Sequence, residues 1–388
     1  MSNIELNKLQ AAGKYSRVFS PLRIRHLELP NRVVFPPWLL LFGNADGTSS
    51  EKLLEFYRKA ARGGCGLVFA GAAGVSPDTI VPGFENGMRA DTDRYIPELR
   101  KIYSAITENG AVAGLQLAHV GNQAMAPAAG FDALPTPSGI PNPVLAQLSP
   151  YHKVRAITEG EILDCIDNFI AAGMRGVQAG YKIIEFHGGH GYFLHGFLSP
   201  RTNLREDQYG GTLEKRGRIV CDIIRGFRAK AGEDIIISLR VSGKEFLEGG
   251  IEPEDFKVLV PLFEQAGLDL LNVSTGTQVE SFPYCMPGKE MGDAPNVPIA
   301  ARLKSYASVP VITVGSIMSI KVAEQVLAEE KVDLVAMGRA QVADQELVKK
   351  TVSGRESEIR QCRRCNSCCF WNKGDTQMYC AVNPDYQK

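Results

Sequence analysis

Two histidines and a tyrosine stand close together in the middle of the chain, in the segment His187-Gly-Gly-His190-Gly-Tyr192. The segment directly follows the mostly apolar run 183–186, which is typical of a buried strand. Imidazoles donate hydrogen bonds to a carbonyl oxygen that gains negative charge, and a phenol supplies a proton. Metal ligands or surface histidines would also fit this pair, but its position at a strand end favours an active site.

Two later apolar runs each end in glycine. The run 309–314 is followed by Gly315 and Ser316, and the run 333–337 by Gly338 and Arg339. In β/α barrels the loops after strands seven and eight bind phosphate through backbone N–H groups and a cation. Gly315, Gly338 and Arg339 therefore predict a phosphate site, and two structural turns are the alternative.

Five of the nine cysteines lie close to the C-terminus: Cys362, Cys365, Cys368, Cys369 and Cys380. Zinc ribbons pair two separate CxxC turns, whereas here one tight group is followed by a distant fifth cysteine. That arrangement is typical of ferredoxin-style ligation of an iron–sulfur cluster, and it favours a cluster over disulfides in a large chain with no secretory signal. Spacing alone does not decide between Cys368 and Cys369 as the third ligand.

Eight short apolar runs alternate with amphipathic stretches along the 388 residues. The predicted strands are 32–35, 66–70, 112–117, 181–187, 235–241, 269–274, 309–314 and 333–337. The predicted helices include 50–62, 158–172, 213–231, 253–266 and 321–329. Continuous apolar strands alternating with helices predict parallel strands covered on both faces. A doubly wound sheet would show the same alternation, but the strand count and length favour a TIM (β/α)8 barrel.

Residues 121–156 interrupt this alternation, being rich in Pro, Ala and Gly without a helical period. We expect them, with residues 276–292, to form the wall of a pocket. We divide the chain into a barrel over residues 1–355 and a small cysteine-rich iron–sulfur extension over residues 356–388. The α/β barrel places its chemistry at the C-terminal ends of the strands, where Gln116, His119 and Arg240 also lie.

Lys plus Arg and Asp plus Glu both number 43, so the formal net charge is zero. This balance gives no general attraction to nucleic acid or to an acidic membrane surface. The N-terminus carries no secretory signal, and no apolar run approaches the ~20 residues of a membrane span. We expect a cytoplasmic protein that forms a homo-oligomer.

Several long segments resemble the old yellow enzyme family. They are Pro21-Leu-Arg-Ile24, Leu29-Pro-Asn-Arg-Val-Val34, Gly114-Leu-Gln-Leu-Ala-His119, Glu185-Phe-His-Gly-Gly-His-Gly-Tyr192, Phe197-Leu-Ser-Pro-Arg-Thr-Asn-Leu-Arg-Glu-Asp-Gln-Tyr-Gly-Gly211 and Leu334-Val-Ala-Met-Gly-Arg339. The resemblance extends over residues 19–385. The cysteines make the chain similar to the iron–sulfur branch that contains 2,4-dienoyl-CoA reductase and trimethylamine dehydrogenase.

The resemblance implies FMN and a 4Fe–4S cluster as cofactors. By their match to the family motifs, Gln116 would bond the pyrimidine edge of the flavin, and Arg240 would lie near flavin N1 and O2. Ala72 would pack against the flavin edge. The phosphate would be held by Gly315, Gly338 and Arg339. The cluster ligands would be Cys362, Cys365, Cys368 and Cys380, with Cys369 as the alternative to Cys368.

For catalysis, the resemblance implies that His187 and His190 bind the substrate's carbonyl oxygen and that Tyr192 donates the proton. The implied reaction is reduction of an activated C=C bond in an enone, enoate or enoyl-CoA by hydride from flavin N5. One position departs from the family. Leu39 stands where many relatives place Thr or Cys beside the flavin C4 carbonyl, and leucine donates no hydrogen bond there.

Two other functions remain open from the sequence. The first is an amine dehydrogenase or N-demethylase, for which Trp38, Tyr181 and Tyr284 could supply an aromatic cage around a cation. The second is an electron-transfer subunit of a larger flavoprotein complex, although such a carrier has no need of paired histidines and a tyrosine.

The electron donor is a further expectation from the resemblance. Longer members continue into a second domain for FAD or NAD(P)H, and we expect that domain to be absent here, because the chain ends at Lys388. We therefore expect an electron-donating flavoprotein or ferredoxin partner near residues 362–380, where Arg360, Arg363, Arg364 and Lys373 suit an acidic protein. The alternative is that the cluster only holds the C-terminus to the barrel.

Overall fold

Eight parallel strands form the centre of the protein in a computed structural model that describes residues 13–369 and 379–386. All eight predicted strands are confirmed. In chain order they are β1 (Val33–Phe35), β2 (Leu67–Gly74), β3 (Val112–Ala118), β4 (Ile183–Gly188), β5 (Ile236–Ser242), β6 (Leu270–Ser274), β7 (Val311–Val314) and β8 (Leu334–Ala336). Every residue of β4, β5 and β6 is buried, as expected for strands covered on both faces.

The strands close into a barrel, which excludes the doubly wound alternative. Each strand pairs in parallel with its neighbour in the chain, and β8 pairs with β1 through Val335 opposite Val33. The ring continues from β1 to β2 through Val34 opposite Leu67. The second strand runs four residues beyond its predicted end and contains a register shift between Ala70 and Ala73. This irregular stretch carries Ala72 to the open end of the barrel.

Twelve helices lie in the described part of the chain. They are α1 (Glu51–Arg62), α2 (Ile96–Thr107), α3 (Pro143–Leu148), α4 (Glu159–Ala179), α5 (Phe193–Leu198), α6 (Leu213–Ala231), α7 (Phe256–Ala266), α8 (Phe282–Cys285), α9 (Val297–Lys304), α10 (Ile320–Ala328), α11 (Gly338–Ala343) and α12 (Leu347–Val352). None of them is long and apolar enough to cross a lipid bilayer.

Helix α4 begins as predicted and ends later than predicted. The Thr158 hydroxyl accepts a hydrogen bond from the Glu161 amide, and the Glu161 carboxylate accepts one from the Thr158 amide, which completes the expected capping box. The prediction that this helix ends at residue 172 is wrong. Gly173 lies inside the helix. The position requires glycine because a Cβ there would approach the Phe227 ring to 2.6 Å. The helix ends at Gly180, whose φ of 116° is left-handed.

The N-terminal end of the barrel is closed by a hairpin of two short strands, Leu22–Ile24 and Leu27–Leu29. Ile24 and Leu29 pack in one apolar cluster with barrel residues such as Val34, Leu67 and Ile183. Since this end is plugged with hydrocarbon, a ligand has access only at the C-terminal end of the strands.

Residues 121–156 have more regular structure than predicted. They contain helix α3, whose first residue is Pro143 and whose amides are capped by the Asn142 side chain. Two strands, Leu134–Thr136 and Val154–Ala156, pair in parallel within the same excursion. The six-residue helix is too short to show a helical period in the sequence, which is why we missed it.

The described part of the C-terminal extension lies against the barrel. The Tyr386 ring packs edge-on against Phe42 and Phe56, and its hydroxyl accepts a hydrogen bond of 3.2 Å from Trp38 Nε1. The Asn383 amide donates to the Val342 carbonyl of α11. The division of the chain at residue 355 stays a prediction.

Candidate active site

A cavity of about 470 Å³ lies at the C-terminal end of the barrel. It is lined by all nine residues for which the sequence predicted a catalytic or FMN-binding role: Ala72, Gln116, His187, His190, Tyr192, Arg240, Gly315, Gly338 and Arg339. Both predicted loops also contribute to its wall, through Gln123, Ala124, Met125, Leu145, Gln278, Cys285, Met286 and Pro287. The strand order therefore brings residues from distant parts of the sequence to one place.

A fully buried carboxyl group, Glu185 on β4, lies within the barrel beneath this cavity. Its Oε1 accepts a hydrogen bond of 2.9 Å from Gln116 Nε2 on β3. Its Oε2 accepts from Ser238 Oγ at 2.8 Å and from Asn272 Nδ2 at 2.9 Å. Burial raises the pKa of Glu185, and these hydrogen bonds and the Arg240 charge oppose that rise. Because the amide nitrogen of Gln116 is held by Glu185, its carbonyl oxygen is left for a ligand at the cavity wall.

Glu185, Gln116, Ser238 and Asn272 form one layer of side chains inside the barrel, which we call the Glu185 layer. His187 is two residues beyond Glu185 on β4, and Arg240 is two residues beyond Ser238 on β5, so both lie one layer closer to the C-terminal end of the barrel. They are direct neighbours in the register of β4 and β5. Arg240 is buried, and burial lowers its pKa, whereas the nearby Glu185 charge opposes that change. Its Nε has no hydrogen-bond partner among the described residues. A buried donor without a partner is expected where a ligand has yet to bind.

His187 and His190 contact each other through one ring nitrogen each, and only one of their two other nitrogens has a hydrogen-bond partner in the described chain. His190 Nδ1 lies 3.3 Å from His187 Nε2, and His190 Nε2 lies 2.7 Å from Ser274 Oγ. His187 Nδ1 has no partner in the described part of the chain. Burial lowers the pKa of both imidazoles well below the ordinary value, and the charge of Arg240 lowers it further. Both are therefore neutral at pH 7.

Tyr192 completes the predicted triad, with its ring centroid 5.0 Å from that of His187. Burial raises the pKa of its phenol, so the group keeps its proton at neutral pH. The backbone around these three residues is fixed by His195 and Ser242. The Gly191 amide donates to His195 Nδ1, and the His190 amide donates to Ser242 Oγ.

His195 and its buried partner Glu245 were not predicted as site residues. His195 Nε2 lies 3.1 Å from Glu245 Oε1, and Glu245 Oε2 accepts from Ser199 Oγ and from the Ile251 amide. The spacing of His195 from Tyr192 was a usable signal, because Tyr192 precedes the short helix α5 and His195 lies in its first turn. His119, which follows β3, is not among the residues that line the cavity. Its Nε2 lies 3.0 Å from Asp78 Oδ2.

The predicted phosphate end of the cavity contains Gly315, Gly338 and Arg339. Gly315 has a left-handed φ of 135°, and a Cβ there would lie 2.3 Å from Asn296 Nδ2. A Cβ on Gly338 would lie 2.7 Å from the Trp38 ring. Both positions therefore require glycine. Arg339 is 5% exposed, and no carboxylate among the described residues forms an ion pair with it.

A second, much smaller cavity adjoins Arg339 and is lined by four cysteines: Cys362, Cys365, Cys368 and Cys380. Cys369 lines the large cavity instead. In residues 13–369 and 379–386, no three or more Cys, His, Asp or Glu side chains already stand in metal-ligating geometry. The four thiols thus line one cavity but are not arranged around a common centre. Lys373, which the sequence analysis placed with the nearby arginines, lies outside the described residues.

The aromatic cage suggested for an amine is not assembled. Trp38 lines the cavity, as does Leu39. Tyr181 is fully buried, with its hydroxyl donating to the Leu99 carbonyl of α2, so it is away from the cavity. Tyr284 stacks on Phe246 with ring centroids 3.8 Å apart and is not among the lining residues. Of the three predicted cage residues, one faces the site.

Comparison with known sequences agrees with this geometry. Residues 17–358 match the NADH:flavin oxidoreductase / NADH oxidase family. The chain belongs to this family. The resemblance to old yellow enzyme is thereby confirmed, and with it a flavin-dependent oxidoreductase. FMN fits the cavity, which offers a neutral acceptor at Gln116, buried cations at Arg240 and Arg339, and donors without partners.

Three relatives indicate the range of the family. The chain is 36% identical over 379 residues to an NADH oxidase from Thermoanaerobacter brockii, covering 95% of this chain and 56% of that protein. It is 31% identical over 359 residues to an N,N-dimethylglycine/sarcosine dehydrogenase from Chromohalobacter salexigens, covering 91% of this chain and 51% of that one. A structure of 2-naphthoyl-CoA reductase with 2-naphthoyl-CoA superposes with a TM-score of 0.88 at 27% identity, covering 96% of this chain and 58% of that one. The chain thus spans about half the length of these relatives.

We predict that the Glu185 network stabilises the barrel. Glu185→Leu fills a similar volume but leaves three buried donors without an acceptor, so it should lower the free energy of unfolding by about 3 kcal/mol or more. Ser238→Ala, which removes one donor and keeps the carboxyl, should cost about 1 kcal/mol. Urea unfolding of the two variants measures both values. Equal effects would show that the carboxyl is not the centre of the network.

Proposed function

We propose that this protein binds FMN and reduces a C=C bond conjugated to a carbonyl or thioester. The observation that carries the proposal is the contact of His187 with His190 and with the Tyr192 ring, at one wall of a cavity with two buried arginines. Burial lowers the pKa of both imidazoles and raises that of the phenol, which favours their neutral forms. Bound FMN would supply the hydride. The protein's part is to hold the cofactor, to orient the substrate and to deliver a proton.

The cofactor would be held at three points of the cavity. The carbonyl oxygen of Gln116, fixed by Glu185, would accept from the pyrimidine edge of the ring. Arg240 would offset negative charge near N1 and O2. At the other end, Arg339 with the backbone at Gly315 and Gly338 would bind the phosphate, which needs a cation without a competing carboxylate. Ala72 would contact the edge of the ring.

The substrate's carbonyl oxygen would accept a hydrogen bond from the histidine pair. His190 already contacts His187 and Ser274 through its two nitrogens, so His187 Nδ1 is the atom left to donate. For His187 Nδ1 to donate to the substrate, both imidazoles must carry their proton on Nδ1. His190 Nδ1 then donates to His187 Nε2, and the Ser274 hydroxyl donates to His190 Nε2. His190 would then orient His187. Tyr192 would protonate the α-carbon as the hydride adds to the β-carbon.

A 4Fe–4S cluster is proposed for the smaller cavity, with Cys362, Cys365, Cys368 and Cys380 as ligands. Thiolates are the ligands such clusters require. The placement of Cys368 in this cavity, with Cys369 in the larger one, supports Cys368 as the third ligand. The cluster would pass single electrons to the flavin cavity, which is adjacent through Arg339.

Amine oxidation is the second candidate. It is favoured by the likeness to the dimethylglycine/sarcosine dehydrogenase. Against it, only Trp38 of the three aromatic residues proposed as a cage lines the cavity. An electron-transfer subunit without a substrate of its own is disfavoured by the His187, His190 and Tyr192 constellation.

The reaction is tested by rapid mixing of the reduced enzyme with enones, enoyl-CoAs and methylamines. We expect oxidation of the flavin by an unsaturated carbonyl compound. His187→Ala should slow this step about 10²–10³-fold, the usual cost of losing one donor to a developing oxyanion. Tyr192→Phe should slow it while FMN stays bound.

Leu163→Ala, at an exposed site on α4, serves as the matched control and should react like the wild type. Normal rates in His187→Ala with the best unsaturated substrate would contradict the proposed site. Reduction of the oxidised enzyme by a methylamine, with no reaction of any unsaturated carbonyl, would favour amine oxidation instead.

We further propose a separate electron donor, either a flavoprotein or a ferredoxin-like carrier, that docks near the cysteines. Of the arginines considered for this contact, Arg364 forms an ion pair with Asp293, and Arg360 donates to Asn383. Arg363 is exposed and has neither kind of partner in the described residues. It is therefore the best placed to meet an acidic carrier.

NADH or NADPH alone should reduce the flavin slowly, and an acidic ferredoxin should reduce it faster at low salt than at high salt. Arg363→Glu should remove that salt-sensitive advantage. Stopped-flow absorbance measures each rate. Full reduction by NADH at the turnover rate, unchanged when iron has been removed, would overturn the partner proposal.

A further inference from the structure

Arg339 is the one residue of the described chain that connects the two cavities. It lines both of them. Its Nη2 donates to the Pro287 carbonyl at 2.8 Å and lies 3.3 Å from Ser316 Oγ. Its Nη1 donates to Asn366 Oδ1 at 2.6 Å. The guanidinium thus touches the flavin side with one nitrogen and the cysteine segment with the other.

All three acceptors around Arg339 are neutral. Two are oxygens of Pro287 and Ser316, and the third is the amide oxygen of Asn366. They fix the direction of the guanidinium without cancelling its positive charge. A buried cation held in this way remains able to bind a phosphate. An aspartate in place of Asn366 would hold the arginine equally well but would neutralise it.

Asn366 lies in the chain between two cysteines that line the small cavity, Cys365 and Cys368. Its backbone is left-handed, with φ of 60°, a conformation that asparagine tolerates. Its Nδ2 donates to the Met286 carbonyl at 3.2 Å, and its backbone carbonyl accepts from the Cys369 amide at 2.9 Å. The position of the Asn366 side chain therefore depends on the path of the cysteine loop around it.

We propose that Asn366 is a positioning residue that couples occupancy of the cysteine cavity to phosphate binding at Arg339. This inference rests on the proposed function, since it requires FMN in the large cavity and iron in the small one. Loss of iron would release the 365–368 loop, Asn366 would leave Arg339, and FMN would bind more weakly. Because coupling between two sites is reciprocal, bound FMN would also slow the loss of iron.

The test measures binding and not turnover. The dissociation constants of FMN and of riboflavin, which lacks the phosphate, are determined by flavin fluorescence for protein with iron and after its removal by a chelator under anaerobic conditions. For the wild type we expect FMN to bind about tenfold more weakly without iron, with riboflavin changing less than twofold. The rate of iron release to the chelator should fall when FMN is bound.

Asn366→Gly removes the side chain and keeps the left-handed backbone. It should weaken FMN binding about tenfold with iron present, leave riboflavin binding unchanged, and abolish the effect of iron on FMN. Asn366→Asp should also weaken FMN binding selectively. Asn383→Ala is the matched control, because it removes three hydrogen bonds of the same extension, with Val342, Arg360 and Asp385, and Asn383 does not contact Arg339.

An equal loss of FMN affinity in Asn383→Ala and Asn366→Gly would overturn the inference, because general loosening of the extension would then explain both. So would a wild type whose FMN affinity is the same with and without iron. A wild type that takes up neither FMN nor iron would contradict the proposed function itself, which separates the two failures.

Discussion

One buried carboxyl group organises the interior of this barrel. Glu185 has no access to water, and burying such a group without partners would be costly. Three donors from three other strands, Gln116, Ser238 and Asn272, satisfy it. Each of these side chains is consequently fixed, and the next layer, formed by His187 and Arg240, is built upon them. The geometry of the cavity floor follows from this single constraint.

The charges of the cavity follow from the same burial. Arg240 and Arg339 are buried cations that form no ion pair with a carboxylate in the described chain, although the Glu185 charge lies near Arg240. Burial lowers the pKa of the two imidazoles and so favours their neutral form. A cavity that contains two buried cations without ion pairs favours an anionic ligand. FMN brings a phosphate and a ring that becomes anionic on reduction, so it complements both arginines. The neutral imidazoles can then donate to a carbonyl without first giving up a charge.

Much of this arrangement was predictable from the sequence. Parallel strands have apolar runs that mark them directly, and chain order fixes which strand ends meet, so the nine residues predicted for the site do line one cavity. Glu185 was quoted within a motif but was given no role, because one acidic residue inside an apolar run carries no sign of its partners on other strands.

The errors have equally local causes. The helix predicted over residues 158–172 was ended too early, before Gly173, whose lack of a side chain allows packing against Phe227. Tyr181 and Tyr284 were proposed for a cage by residue type alone, and the direction of a side chain is set by neighbours that the sequence does not display. The contact between Arg339 and Asn366 likewise joins residues whose proximity depends on how the extension folds back.

The central claim is that the Glu185 layer and Arg339 together define one FMN site, and a crystal structure of the FMN-loaded protein tests it most directly. The account predicts the pyrimidine edge of the ring within hydrogen-bonding distance of Gln116 Oε1 and Arg240, and the phosphate on Arg339 and the backbone at Gly315 and Gly338. Electron density for FMN in the reverse orientation, or outside this cavity, would contradict it.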